Sequence, residues 1–163
     1  MKTLYIVRHA KSSWDHPGLS DDERPLIKKG IKRTNKIAAF LQDKDIKVDR
    51  FISSYAVRAH ETAKIIAGTL AYPENKISIS RQLYHGSTDH IYDELHALPD
   101  DIESVMIFGH NPTFTSLANH FLSEKTDWLP TSAVVAISFN TDKWTEITLA
   151  EQKTKFVIFP RDL

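Results

Sequence analysis

This chain predicts an α/β fold: a three-layer sandwich with a mostly parallel central sheet, antiparallel strands near the C-terminus and helices on both faces. Three observations carry that expectation. Continuous apolar runs at 4–7, about 51–52 and 104–108 have the pattern of strands buried on both sides. Helical spacing follows each of them, as alternating strand–helix units require. Beyond residue 133 the pattern switches to alternation, which suits antiparallel strands.

In order, the first strand gives way to a polar loop, 12–24, containing Gly and Pro. Pro25 suits the first position of a helix, where its missing N–H costs nothing, and Ile27, Ile31, Thr34, Ala38 and Leu41 then recur at helical spacing. Residues 49–53 predict a second strand, and 55–69 a second helix with Ala59, Ala63, Ile66 and Leu70 along one stripe. A turn at 72–75 leads to a short strand at 77–79, then a helix at 88–98 carrying Ile91, Leu95 and Leu98. After the strand at 104–108, Asn111 and Pro112 predict an N-cap and first turn for a helix bearing Phe114, Leu117, Ala118 and Phe121. Residues 133–139 and 144–149, joined through 140–143, predict a β-hairpin.

Composition narrows the possible functions. A length of 163 residues predicts one domain, 1–163, large enough for a proper core. Lys+Arg 21 balances Asp+Glu 21, so no overall field draws the chain to nucleic acid or an anionic membrane. With Cys 0, disulfides, thiolate catalysis and Cys-based zinc sites are excluded. No apolar run approaches the roughly 20 residues that span a bilayer, and the N-terminus lacks a signal-peptide pattern. A soluble, cytoplasmic protein is expected.

Chemistry concentrates where strands end. The first runs out into Arg8-His9, the second into Ser53-Ser54 with Arg58 in the next helical turn, and the strand at 104–108 into Gly109-His110. In parallel α/β sheets ligands bind outside the carboxyl ends of the strands. Were these three strands neighbours, two guanidiniums, two imidazoles and two helix N-termini would share one rim. Guanidinium forks match phosphate oxygens, helix N-termini favour anions, and a neutral His is a competent nucleophile. Phosphate is the expected guest.

Other features have plainer readings. His85, His90 and His96 do not share a helical face, and no His-Glu-x-x-His occurs, so no metal site is expected. His60 reads as a half-buried or surface histidine, and Trp14, Trp128 and Trp144 as core or rim packing. Lys28, Lys29, Lys32, Arg33 and Lys36 read as the solvated face of the first helix, with docking of an acidic phosphoprotein as the alternative. Nucleotide-cradling glycine motifs are absent.

The segment Leu4-Tyr5-Ile6-Val7-Arg8-His9-Ala10 resembles the Arg-His-Gly signature of the histidine phosphatase superfamily, the phosphoglycerate mutase-like proteins. Ser53 to Ala63 is similar to that family's second-arginine segment, and Gly109-His110-Asn111-Pro112 to its second-histidine motif. Ala10 in place of Gly, Lys11-Ser12-Ser13-Trp14, and Asp21-Asp22-Glu23-Arg24-Pro25-Leu26 followed by Gly30 resemble the small SixA-type branch, the phosphohistidine phosphatases. The resemblance implies that His9 attacks phosphorus and becomes phosphorylated. It implies that Arg8 and Arg58 hold the non-bridging oxygens, that His110 is a further donor, and that no metal or cofactor is needed.

One departure bears on substrate. Larger family members supply a carboxylic acid to protonate an alcohol leaving group, but the corresponding stretch, Arg81 to Ser87, contains no Glu. An alkoxide leaves poorly without an acid, whereas the P–N bond of phosphohistidine is already labile. The expected partner is therefore a phosphorylated protein carrying phosphohistidine, with inorganic phosphate as product and with neither nucleic acid nor membrane involved. Asp15 and Asp21 in the first loop remain possible proton sources. Lys11, Ser12, Trp14, Asp15, Asp21, Tyr84 and His85 complete the candidate substrate-binding set. The alternatives are a small-molecule phosphomonoester phosphatase or mutase and a non-catalytic phospho-ligand binding module.

Overall fold

The computed structural model describes residues 1–163. Six strands form one sheet in the order β3-β2-β4-β1-β5-β6. They are β1 (Lys2–Arg8), β2 (Arg50–Ser54), β3 (Ser78–Ser80), β4 (Ser104–Gly109), β5 (Val134–Phe139) and β6 (Gln152–Ile158). The first four run parallel, β5 is antiparallel to β1, and β6 is antiparallel to β5. The helices are α1 (Lys28–Asp43), α2 (Val57–Thr69), α3 (Gln82–His85), α4 (Thr88–His96) and α5 (Thr113–Phe121). This is the α/β architecture expected from the sequence.

Two apolar cores lie on opposite faces of the sheet, because side chains alternate along each strand. Leu4 and Ile6 of β1 join one core with Phe114 and Leu117 of α5, Ile91 and Leu95 of α4, and Trp144. Tyr5 and Val7 join the other with Ile37, Ala38 and Leu41 of α1 and Ala59, Ala63 and Ile66 of α2. The central strands are buried on both sides, which explains their unbroken apolar runs.

Several expectations are corrected. Helix α1 starts at Lys28 rather than Pro25, because the preceding residues are extended: Leu26 bridges to Ser12, and the Ile27 N–H donates to the Lys11 carbonyl at 3.1 Å. Its buried stripe is Gly30, Thr34, Ile37, Ala38 and Leu41, while Ile31 is exposed. Gly30 lies against Lys11, where a Cβ would collide with the Lys11 carbonyl oxygen. Helix α5 begins at Thr113, one residue later than expected, after a cis Asn111–Pro112 bond. Asn111 still satisfies the helix start, its Oδ1 accepting from the Thr115 N–H at 3.1 Å and the Thr115 hydroxyl at 2.8 Å.

The largest correction is at the C-terminus. Residues 144–149 are not a strand; Trp144–Glu146 is a 3₁₀ turn. Trp144 is fully buried and its indole N–H donates to the Ile102 carbonyl at 2.7 Å. The partner of β5 is instead β6, whose register shifts once beside Ala136 and Ile137.

Candidate active site

β2, β4 and β1 are adjacent and parallel, with Arg8 opposite Gly109 and Ser53 opposite Phe108. Their carboxyl ends therefore share one rim, and the residues that follow them meet there. His9 is only 7% exposed. Its Nδ1 lies 2.7 Å from the Ala10 carbonyl oxygen, which can only accept, so Nδ1 carries the proton and Nε2 keeps its lone pair. Burial pushes the His9 imidazole from its ordinary 6.5 down to about 3. The Ala10 carbonyl opposes this, while Arg58, Arg8 and Arg24 push further down.

The His110 ring centroid stands 5.1 Å from that of His9. Its Nε2 is 2.7 Å from the Ser54 hydroxyl, and its Nδ1 is 3.4 Å from Arg58 Nη2. A guanidinium only donates, so Nδ1 accepts and the proton sits on Nε2, facing Ser54. Burial, His9 and Arg58 hold His110 down at about 2, with Asp21 opposing.

Arg58, in the first turn of α2, is buried. It donates to the Asp21 carbonyl at 2.6 Å and to Asp21 Oδ2 at 2.9 Å. Arg8 donates to the Leu129 carbonyl at 3.0 Å. The Nε atoms of both arginines are buried without hydrogen-bond partners. A clasp joins the two sides: the Ala10 N–H donates to the Thr62 hydroxyl at 2.8 Å, which donates to the Arg58 carbonyl at 2.6 Å.

The remaining candidates fall into three groups. Asp21 and Tyr84 reach two of the four central residues, Arg58 and His110: Asp21 pairs with Arg58, the Tyr84 hydroxyl donates to Asp21 Oδ2, and the Tyr84 ring packs edge-on to His110 at 5.0 Å. Burial alone would raise the Asp21 carboxyl, but Tyr84, Arg58 and Arg24 outweigh it and hold the group at about 2. Lys11, Ser12 and Trp14 line a cleft of about 310 Å³ with Arg8 and His9. Asp15 and His85 are not brought to the centre; the Asp15 N–H bonds the Ser13 hydroxyl, and His85 pairs with the Tyr55 hydroxyl at 2.7 Å.

The sequence reading missed several supports. Arg24 stacks 3.5 Å over the Trp14 ring and donates to the Ser12 hydroxyl at 2.9 Å. Ser54 and Thr62 are visible in the sequence only as ordinary polar residues. Ser132, at φ 61°, lies in the left-handed region. That turn lets its N–H reach the carbonyls of both Arg8 and His9 at 3.1 Å. Only its contact with distant residues marks it out.

The family model of the histidine phosphatase superfamily (branch 1) matches residues 4–83, a span that includes Arg8, His9 and Arg58. The chain belongs to that superfamily. An uncharacterized protein of Mycobacterium leprae is 27% identical over 117 residues, covering 69% of this chain and 68% of that protein. Phosphohistidine phosphatase SixA of Escherichia coli is 23% identical over 134 residues, 82% of each chain. In structure, the protein histidine phosphatase SixA complexed with tungstate superposes with a TM-score of 0.83 over 98% of both chains at 21% identity, a likeness of fold.

Proposed function

We propose that this superfamily member is a phosphatase working through a phosphohistidine intermediate on His9, with phosphohistidine in proteins as its substrate. One observation carries the reading: His9 is buried, neutral and hydrogen-bonded through Nδ1, which leaves Nε2 free to attack. A protonated imidazole has no lone pair to offer at that nitrogen, so the low pKa keeps it nucleophilic at neutral pH.

In the first step the Nε2 lone pair forms a bond to phosphorus as the bond from phosphorus to the substrate's imidazole nitrogen breaks; the electron pair of the broken bond stays on that nitrogen, and a ring already protonated from solvent on its other nitrogen departs as neutral imidazole. Water then attacks phosphorus, gives up a proton, and releases inorganic phosphate with His9 restored. Arg8 adjoins His9 in the chain and Arg58 lies beside His110, and their guanidiniums are the donors this reading assigns to phosphoryl oxygens. Stabilisation of this kind is the main demand of phosphoryl transfer, at about 3 kcal/mol of barrier per donor. A phosphoryl dianion also favours protonation of His110, which would turn its Nδ1 into a further donor.

The substrate preference follows from the proton supply. Asp21 is the carboxylate nearest Arg58 and His110, but a carboxyl held at about 2 is ionised at neutral pH and has no proton to give. A substrate with a labile P–N bond suits such a site better than an alkyl ester. The similarity to SixA points the same way.

The test is to quench turnover of phosphoramidate and of a phosphohistidine peptide and to look for protein-bound phosphate. The expected label is lost in acid, stable in base and absent from His9→Ala, and turnover continues in EDTA. Full activity of His9→Ala would overturn the intermediate. A strong preference for alkyl phosphates with a bell-shaped pH profile would overturn the substrate assignment.

A further inference from the structure

The cleft of about 310 Å³ at His9 adjoins a second one. That outer cleft, about 430 Å³, is lined by Arg33, Lys36, Pro130, Thr131, Phe159 and Arg161 among others. Arg33 and Thr131 border both clefts, so the two form one trough along α1 toward the C-terminal turn Pro160–Asp162. Neither is lined by an Asp or Glu side chain. Lys11, Arg33, Lys36 and Arg161 make no salt bridge, and of the trough's cations outside the phosphate site only Arg24 is paired, with Asp21.

This is a local accumulation in a chain whose charges cancel overall, 21 against 21. His9 lines the inner cleft and not the outer one. Lys36 and Arg161 border only the outer one, so their charge is available to whatever is attached to the phosphorylated group.

We propose that the outer cleft docks an acidic segment of the polypeptide that delivers its phosphorylated side chain to His9. The inference rests on the reading of the site as a protein phosphohistidine phosphatase. Unpaired cations facing an acidic segment speed encounter and lower KM rather than raise kcat. Phe159, Pro130 and Pro160 give the same cleft apolar walls, which suit a peptide. An extended nucleic acid is disfavoured, because a chain without net charge has no broad field to hold a phosphate backbone.

The experiment compares phosphohistidine peptides of one core sequence flanked by runs of Glu or of Ser, on wild type and on Lys36→Glu/Arg161→Glu. Phosphoramidate serves as a small substrate that cannot reach the outer cleft. Wild type is expected to favour the Glu peptide by about tenfold in kcat/KM, mostly through KM, and to lose that preference when salt shortens the Debye length to a few ångströms. The variant is expected to lose the preference while keeping its phosphoramidate rate. Equal rates on both peptides in wild type, or an unchanged preference in the variant, would overturn the docking site. Fluorescence anisotropy of the unphosphorylated Glu peptide reads docking independently of turnover. Failure to hydrolyse every phosphorylated probe, with that binding intact, would overturn the catalytic reading instead. Tighter binding of a single-stranded oligonucleotide than of the Glu peptide would overturn the choice of a polypeptide.

Discussion

Acidification should destabilise this fold through its two central imidazoles, by an amount that follows from their burial. His9 and His110 have pKa values of about 3 and about 2 in the folded chain, against an ordinary 6.5 for exposed histidine. Between those limits the unfolded chain binds protons that the folded chain does not, so stability must fall as pH falls below 6.5. Lowering the pH from about 7 to about 5 costs about 2 kcal/mol for each such histidine, since both pH values lie well above the folded pKa values and only the unfolded titration matters. The pair together sets a ceiling of about 4 kcal/mol, a large fraction of a typical folding free energy.

Urea unfolding in phosphate-free buffer at several pH values measures this directly. Carboxylates and the other histidines titrate as well, so the comparison is with His9→Asn/His110→Asn, which retains them. The variant should show a shallower loss of stability toward acid by about 2 to 4 kcal/mol. Parallel curves for the two proteins, or an NMR titration of the His9 ring near 6.5, would refute the reasoning.

Other outcomes can be checked by kinetics and calorimetry. Arg58→Ala should lower kcat/KM on phosphoramidate by about 100-fold or more, because a fixed donor at the phosphoryl oxygens is lost. Asp21→Asn should keep phosphoramidate turnover within about tenfold and leave its pH profile unmoved between pH 5 and 8, since a group ionised throughout that range cannot be the proton source. A collapse of activity with a displaced acidic limb would make Asp21 the acid after all. Gly30→Ala should lower stability by about 1 to 3 kcal/mol in a thermal melt, because the added methyl meets the Lys11 backbone rather than a side chain that can swing away.

The parts of the site that sequence made legible are those where one short segment carries both structure and chemistry. Residues 4–7 read as a buried strand, and Arg8-His9 could only fall at its end; the same logic located His110 and Arg58. What it could not supply is pairing across long separations. Asp21 meets Arg58 and Tyr84 across loops whose path no periodicity specifies. Ser132 matters through a left-handed turn at a residue type that seldom adopts one. The hairpin misreading has a definite cause. Residues 144–149 alternate well enough for a strand, but Trp144 is drawn into the core toward Ile102 and the buried Lys2. The true edge strand, β6, opens Gln-Lys-Thr-Lys, and lysines on a sheet edge discourage pairing with a second chain while diluting the apolar signal.

Thr62 has a consequence beyond its two hydrogen bonds. The His9 ring and the Arg58 guanidinium sit on separate elements, a strand end and a helix, which could otherwise shift independently as the chain breathes. A single hydroxyl bonded to the residue after one and to the backbone of the other makes them travel together. On the proposed mechanism the line of attack is thus set before any phosphate arrives, and alignment does not have to be bought with substrate binding energy.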